Sequence, residues 1–217
     1  MSPLPATIPV TARTRIRATA RRRTVPTPDA AERRVLLLRL LSLLLRYPDH
    51  ELTDGRPRLA AAVAAPPPSR AAAELAAFMA WFTADEPEEL GRRYAEMFDP
   101  RGDGSLHLTH YLNADIRRRG SALLALKRRY RAAGWNIEGA ELPDHLPVVL
   151  EFAALAGPGP GEAPLRQHRR GLELIHRAIT DTGSPYGHLL AALRTLLPPA
   201  EDTEPSRHSG AHPEADR

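Results

Sequence analysis

Apolar residues recur along this chain at spacings of three and four and are interrupted by proline- and glycine-bearing stretches, a pattern that predicts helices joined by short turns. The interruptions fall at Pro48 to Pro57, Pro66-Pro67-Pro68, Glu86-Pro87, Asp99 to Gly104, Gly134 to Pro143, Gly157 to Pro164 and Gly183 to Pro185. From Asp29 to Arg46 leucine occupies most sides of the helical wheel, with Arg39, Ser42 and Arg46 on one stripe, which predicts a mostly buried helix. Ser69 is placed to cap a helix running through Phe82, in which Leu75, Phe78, Met79 and Phe82 follow the i, i+3, i+4, i+7 rule. Pro87 opens another helix that ends near Phe98. The longest is expected from about Thr109 to Ala132, with Leu112, Ile116, Gly120, Leu123, Leu124 and Tyr130 near one face. Gly120 in that row would admit a close neighbouring helix, at a propensity cost of about 1 kcal/mol relative to alanine. Further helices are expected at 144–156, 162–180 and 186–197, and no alternating strand pattern stands out. The fold class is therefore all-α, a single-domain bundle of about seven or eight helices held together by packing of their apolar faces.

The ends differ from the body. Residues 1–28 carry prolines, threonines and six arginines with no acid and no apolar period, and are expected to form a disordered Arg/Pro-rich tail. Residues 198–217 carry five acids against Arg207 and Arg217 and are expected to form a disordered acidic tail, leaving 29–197 as the helical domain. The formal net charge of +4 thus sits mainly in the first tail, and the body is close to neutral. A groove that tracks phosphates needs its basic residues on one folded surface, so nucleic acid is not the expected partner.

The chain has no cysteine, which excludes disulfides, thiolate zinc sites, iron-sulfur clusters and cysteine nucleophiles. It contains no P-loop, no GxGxxG after a strand, no GxSxG elbow and no HExxH helix, so no enzyme signature positions a phosphate, nucleophile or catalytic metal. Arg33-Arg34 ahead of Val35 to Leu45 has the outline of a twin-arginine export signal. Arg39 and Arg46 break the apolar run and no small-x-small site follows closely, so neither export nor a membrane span is expected.

Two segments carry more polar chemistry than a plain bundle needs. In Glu141-Leu142-Pro143-Asp144-His145-Leu146-Pro147-Val148-Val149-Leu150-Glu151-Phe152, Pro143 is suited to start a helix, Asp144 to sit at its positive end and His145 to stand at its mouth. By itself this describes a capping or hydrogen-bonded histidine as readily as a recognition site. In Leu108 to Gly120, Asp115 and Arg119 are one helical turn apart, while Arg117 and Arg118 point to solvent or a partner. His107 and His110 with His145 have the number of ligands for a metal but lack a supporting acid or motif, and no metal is expected.

The succession Arg93-Tyr94-Ala95-Glu96-Met97-Phe98-Asp99, Ser105 to Gly120, Leu126 to Gly134 and Glu141 to Phe152, with the leucine-rich helix ending Leu45-Arg46-Tyr47-Pro48, resembles the nitrate reductase molybdenum cofactor assembly chaperones of the NarJ type. The resemblance covers about residues 33–197. It implies a TorD-like all-helical chaperone, cytoplasmic and without enzymatic activity. Such a chaperone binds the N-terminal segment of the nitrate reductase catalytic (alpha) subunit and assists insertion of the molybdenum cofactor and assembly of the membrane-bound enzyme. It would hold no cofactor of its own, and proteins of molybdenum cofactor biosynthesis would be further partners. The family's proline-aspartate-histidine motif falls on Pro143, Asp144 and His145, which the resemblance assigns to client-peptide binding, with Tyr111, Asp115, Arg117, Arg118, Arg119 and Glu151 as a wider candidate surface. An amphipathic peptide helix in a groove between the 109–132 and 144–156 helices, with charges at the rim, would serve that role. The alternative is a generic helical interaction or regulatory module whose basic tail contacts nucleic acid. Nucleotide binding has no phosphate-cradling motif to support it.

Overall fold

The computed structural model describes residues 15–18, 29–98, 104–112 and 116–197. Among these, ten helices run in the order α1 (Asp29–Leu44), α2 (His50–Asp54), α3 (Arg56–Ala64), α4 (Arg70–Ala84), α5 (Pro87–Phe98), α6 (Ile116–Ala132), α7 (Leu146–Ala156), α8 (Ala163–Gln167), α9 (Arg169–Asp181) and α10 (Tyr186–Leu196). Two short strands, β1 (Arg15–Ala18) and β2 (Trp135–Glu138), pair antiparallel. The all-α class holds, and α2 and α8, five residues each, lie below the length at which an apolar period can be read.

α7 is the centre of the bundle. Leu146, Val148, Val149, Leu150, Phe152, Ala153 and Ala154 are all buried, and a helix apolar on nearly every side must be covered on nearly every side. α1 covers most of it, and its leucines 37, 38, 40, 41, 44 and 45 are buried in the main core. The Ser42 hydroxyl, buried in that contact, donates to the Pro147 carbonyl at 2.8 Å, although Arg39 of the same stripe is exposed. α4 starts at the expected cap, where Ser69 Oγ accepts from Ala72 N at 3.1 Å. Its Phe78 and Phe82 rings pack with Trp81, Tyr94, Phe98 and Tyr186 between α4, α5 and α10.

A second, smaller core lies on the other side of α7, where Tyr130 of α6 meets Val148 and Phe152. The Tyr130 and Phe152 rings are 4.4 Å apart, and Trp135 and Ile137 of β2 close the edge.

Four sequence expectations change. α6 begins at Ile116, not Thr109, because Thr109 to Leu112 form turns that tie back to the bundle. Gly120 serves no close approach, since a Cβ there would meet nothing within 4 Å. The expected 162–180 helix splits at His168, whose Nδ1 lies 2.9 Å from the Pro164 carbonyl. The absence of strands fails at β1 and β2, four residues each and too short for alternation to be recognised. β1 falls inside the stretch expected to be a tail, while the rest of 1–28 and all of 198–217 lie outside the described residues.

Candidate functional site

The turn before α7 and the loop after α5 are clasped together. Leu108 N donates to the Asp144 carbonyl at 3.0 Å and Leu146 N to the Leu106 carbonyl at 2.8 Å, an antiparallel bridge centred on His107 and His145. Leu106 and Leu108 are buried on one side of this bridge, so His107 and Thr109 turn to the other. There they meet the carboxylate of Asp144, which is fully buried. Asp144 Oδ1 lies 3.1 Å from His107 Nδ1, while Oδ2 accepts from Thr109 N at 3.2 Å and from Thr109 Oγ1 at 2.5 Å. Tyr130 then donates its hydroxyl to the Pro143 carbonyl at 2.7 Å, and Ser105 N donates to the Tyr111 hydroxyl at 2.9 Å.

A buried carboxylate is costly unless its oxygens are satisfied, and here they are. Burial alone would raise the Asp144 pKa; the His107 and Thr109 hydrogen bonds and the attraction of His107 outweigh it and hold the carboxyl at about 2. His145 is the opposite case. Burial pushes its pKa down to about 3, aided by electrostatic repulsion from the His107 and Arg46 side chains and opposed by Asp144. Its Nδ1 is 3.2 Å from Glu141 Oε2 but outside hydrogen-bonding geometry, so that nitrogen is buried with no hydrogen-bond partner. His145 occupies the N-cap position of α7 without donating or accepting a side-chain cap bond, and its ring lies 5.1 Å from that of His107.

Arg46 Nη2 lies 3.0 Å from Glu151 Oε2, joining the end of α1 to α7. Leu43 and Tyr47, on either side of Arg46 in the chain, and Leu142, in the turn before α7, are among the large apolar side chains left exposed, at 37%, 47% and 39%. Tyr47 sets its ring edge-on to Tyr94 at 5.5 Å and its hydroxyl against Gly91, where a Cβ would sit 2.7 Å from that oxygen. The Tyr94 hydroxyl in turn donates to the Leu45 carbonyl at 3.1 Å. Exposed apolar side chains of this kind can pack against those of a partner, while nearby charged groups fix its direction.

Of the expected set, Pro143, Asp144 and His145 stand together in the turn before α7, with Pro143 and Asp144 out of solvent and so not at a rim, while Glu151 lies further along α7 and pairs with Arg46. Tyr111 is half-buried against the core. Arg117 and Arg118 lie exposed in the first turn of α6, and Arg119 is partly buried with its Nε lacking a hydrogen bond. That turn is about 20 Å along the helix axis from Tyr130, the α6 residue that reaches Pro143. Asp115 lies outside the described residues. The expected groove between α6 and α7 is filled, where α6 ends, by Tyr130, Val148 and Phe152. Thr109, His107, Leu43, Arg46, Tyr47 and Leu142 are the residues that sequence reasoning does not place in the client-binding set. A signal for the first is the alternation Leu106-His107-Leu108-Thr109, a short strand pattern that runs up to the expected helix start.

A helical bundle that ties Asp144 into its interior and leaves Leu43, Tyr47 and Leu142 exposed presents apolar surface of the kind that a partner can cover. Residues 63–192 match the nitrate reductase delta subunit family, and the chain belongs to that family. It is 34% identical over 70% of its length to the nitrate reductase-like protein NarX of Mycobacterium tuberculosis, and spans 23% of that longer protein. It is 30% identical over 76% of its length to the nitrate reductase molybdenum cofactor assembly chaperone NarJ of Escherichia coli, covering 71% of it. With the probable NarJ of Bacillus subtilis the identity is 29% over 72% of the chain and 85% of the relative.

Proposed function

We propose that this protein is a cytoplasmic assembly chaperone for nitrate reductase. It binds the N-terminal segment of the catalytic subunit and keeps that subunit open until the molybdenum cofactor is inserted and the membrane-bound enzyme assembles. Family membership and the NarJ relatives support the chaperone role. The observation that carries the binding site is the exposure of Leu43, Tyr47 and Leu142, the first two beside Arg46, which pairs with Glu151. Pro143, Asp144 and His145 act mainly by holding Leu142 and α7 in register with the 104–112 loop. Tyr111 braces the same loop, while Asp115, Arg117, Arg118 and Arg119 belong to a wider surface that a longer client segment would reach. No catalysis is assigned, and the molybdenum cofactor is the client's cargo. Among the described residues no group of three or more metal-ligating side chains is assembled, and no helix is long and apolar enough to cross a membrane.

The test is calorimetric titration of the full chain with a synthetic peptide of the catalytic subunit's first residues. Tyr47→Ala with Leu142→Asp, both at exposed positions, should weaken binding about ten-fold, or ~1.4 kcal/mol, without changing the helical content. Unchanged affinity in that double variant would remove the face as the site. Coprecipitation of the catalytic subunit with and without its first residues checks the partner separately, and equal recovery of both forms would refute the N-terminal segment as the ligand.

A further inference from the structure

β2 and β1 form a sheet of two strands, and the strand that completes it comes from outside the region that matches the family. β2 lies within residues 63–192; β1 lies more than forty residues ahead of them, in the arginine-rich segment. The register places Arg15 opposite Glu138, Ile16 opposite Ile137, Arg17 opposite Asn136 and Ala18 opposite Trp135. Along β2 burial alternates, Trp135 and Ile137 half-buried and Asn136 and Glu138 exposed. Trp135 and Ile137 pack on the small core of Tyr130, Val148 and Phe152. Residues directly opposite in an antiparallel pair share a face. Ile16 and Ala18 therefore hold register positions on the core face, and Arg15 and Arg17 positions on the solvent face.

An unpaired strand edge is a template for any extended segment of suitable pattern. We propose that the β2 edge is a strand-docking site for an extended peptide in which basic residues alternate with small or apolar ones, and that Arg15–Ala18 is an internal occupant of that site. A partner segment of the same alternation adds to β2 only when Arg15–Ala18 leaves. The internal strand thus lowers the apparent affinity of the edge by the fraction of time it is docked. Its basic positions pair with Asn136 and Glu138 and its apolar positions with Trp135 and Ile137, the same code that β1 follows.

The probe is a fluorescent peptide of residues 11–22 of this chain, titrated into the full chain and into the full-chain double variant Ile16→Asp/Ala18→Asp. The variant should bind it at least about ten-fold more tightly than the wild type. Amide hydrogen exchange at 135–138 should be slow in the wild type, fast in the variant and slow again when the peptide is added. The single variant Arg17→Pro, which disrupts the strand without adding a negative charge, should behave like the double one. Equal affinity for wild type and both variants would overturn the proposal, as would binding that leaves exchange at 135–138 unaltered. A peptide carrying the same two aspartates should not bind; equal binding would mean attraction by charge alone and would also overturn it. Because the probe is this chain's own segment, its failure leaves the client reading untouched.

Discussion

α7 is shared by two regions that are built differently. On one side the clasp of 104–112 with 141–146 buries a carboxylate, a threonine and most of a histidine inside the main core, each oxygen of the carboxylate accepting or facing a donor. On the other, α6 and β2 rest on α7 through Tyr130, Val148 and Phe152, one hydroxyl bond and a pair of four-residue strands. The first region is rigid because its polar groups have no alternative partners once buried. The second is thin, and α6 leaves Ile116 and Leu124 exposed at 88% and 47%. A client face is better placed over the first, and an exchangeable strand on the second, because local opening costs least where few apolar groups are buried.

Four substitutions and titrations sharpen or break this contrast. The largest effect is expected from Asp144→Ala, which strands His107 and the Thr109 donors; urea unfolding should show a loss of about 3 kcal/mol. A loss comparable to that of an exposed substitution would mean the clasp is not the rigid partner. Next is acid sensitivity. His145 is held neutral with a pKa of about 3 against 6.5 unfolded, so its contribution is complete above the unfolded value and is lost as pH falls from 6.5 toward 3. Asp144, lowered from 3.8 to about 2, adds a further loss as pH falls from 3.8 toward 2. The melting temperature should therefore fall between pH 6.5 and 3, and His145→Gln should flatten the upper part of that slope; an unaltered slope would contradict the burial of the ring.

On the thin side, Tyr130→Phe removes one hydroxyl and leaves the Pro143 carbonyl unpaired, for a loss of about 1.5 kcal/mol in the same unfolding assay. Faster exchange at 135–138 than in the main core should accompany it. The smallest effect has the opposite sign: Gly120→Ala, with open space around the added methyl, should stabilise α6 by up to about 1 kcal/mol. Destabilisation there would mean that a neighbour approaches α6 after all.

Legibility from sequence followed the length of each signal. α1, α4, α5 and α10 carry at least three turns of apolar period and were readable to within a few residues. The start of α6 was misplaced because Leu108, Tyr111 and Leu112 continue its apolar spacing, while the chain uses Thr109 to meet Asp144 and Tyr111 to meet Ser105. Pro143 was expected to open the helix, and Pro147 takes the early helical position instead. Of the candidate site, the segment around Asp144 and His145 was recognisable as unusual. That its carboxylate faces inward to His107 and Thr109 could not be read, since those residues lie more than thirty positions away.

Periodicity, composition and ordered motifs are properties of the chain alone, and they suffice for a helical bundle with a near-neutral body, no cysteine chemistry and a family signature. That Asp144 is a buried tie, that Tyr47 and Leu142 stay at the surface, and that Arg15–Ala18 pairs with β2 came from the assembled fold. Burial, hydrogen-bond pairing and strand register depend on which distant segments meet, and no local pattern specifies that meeting.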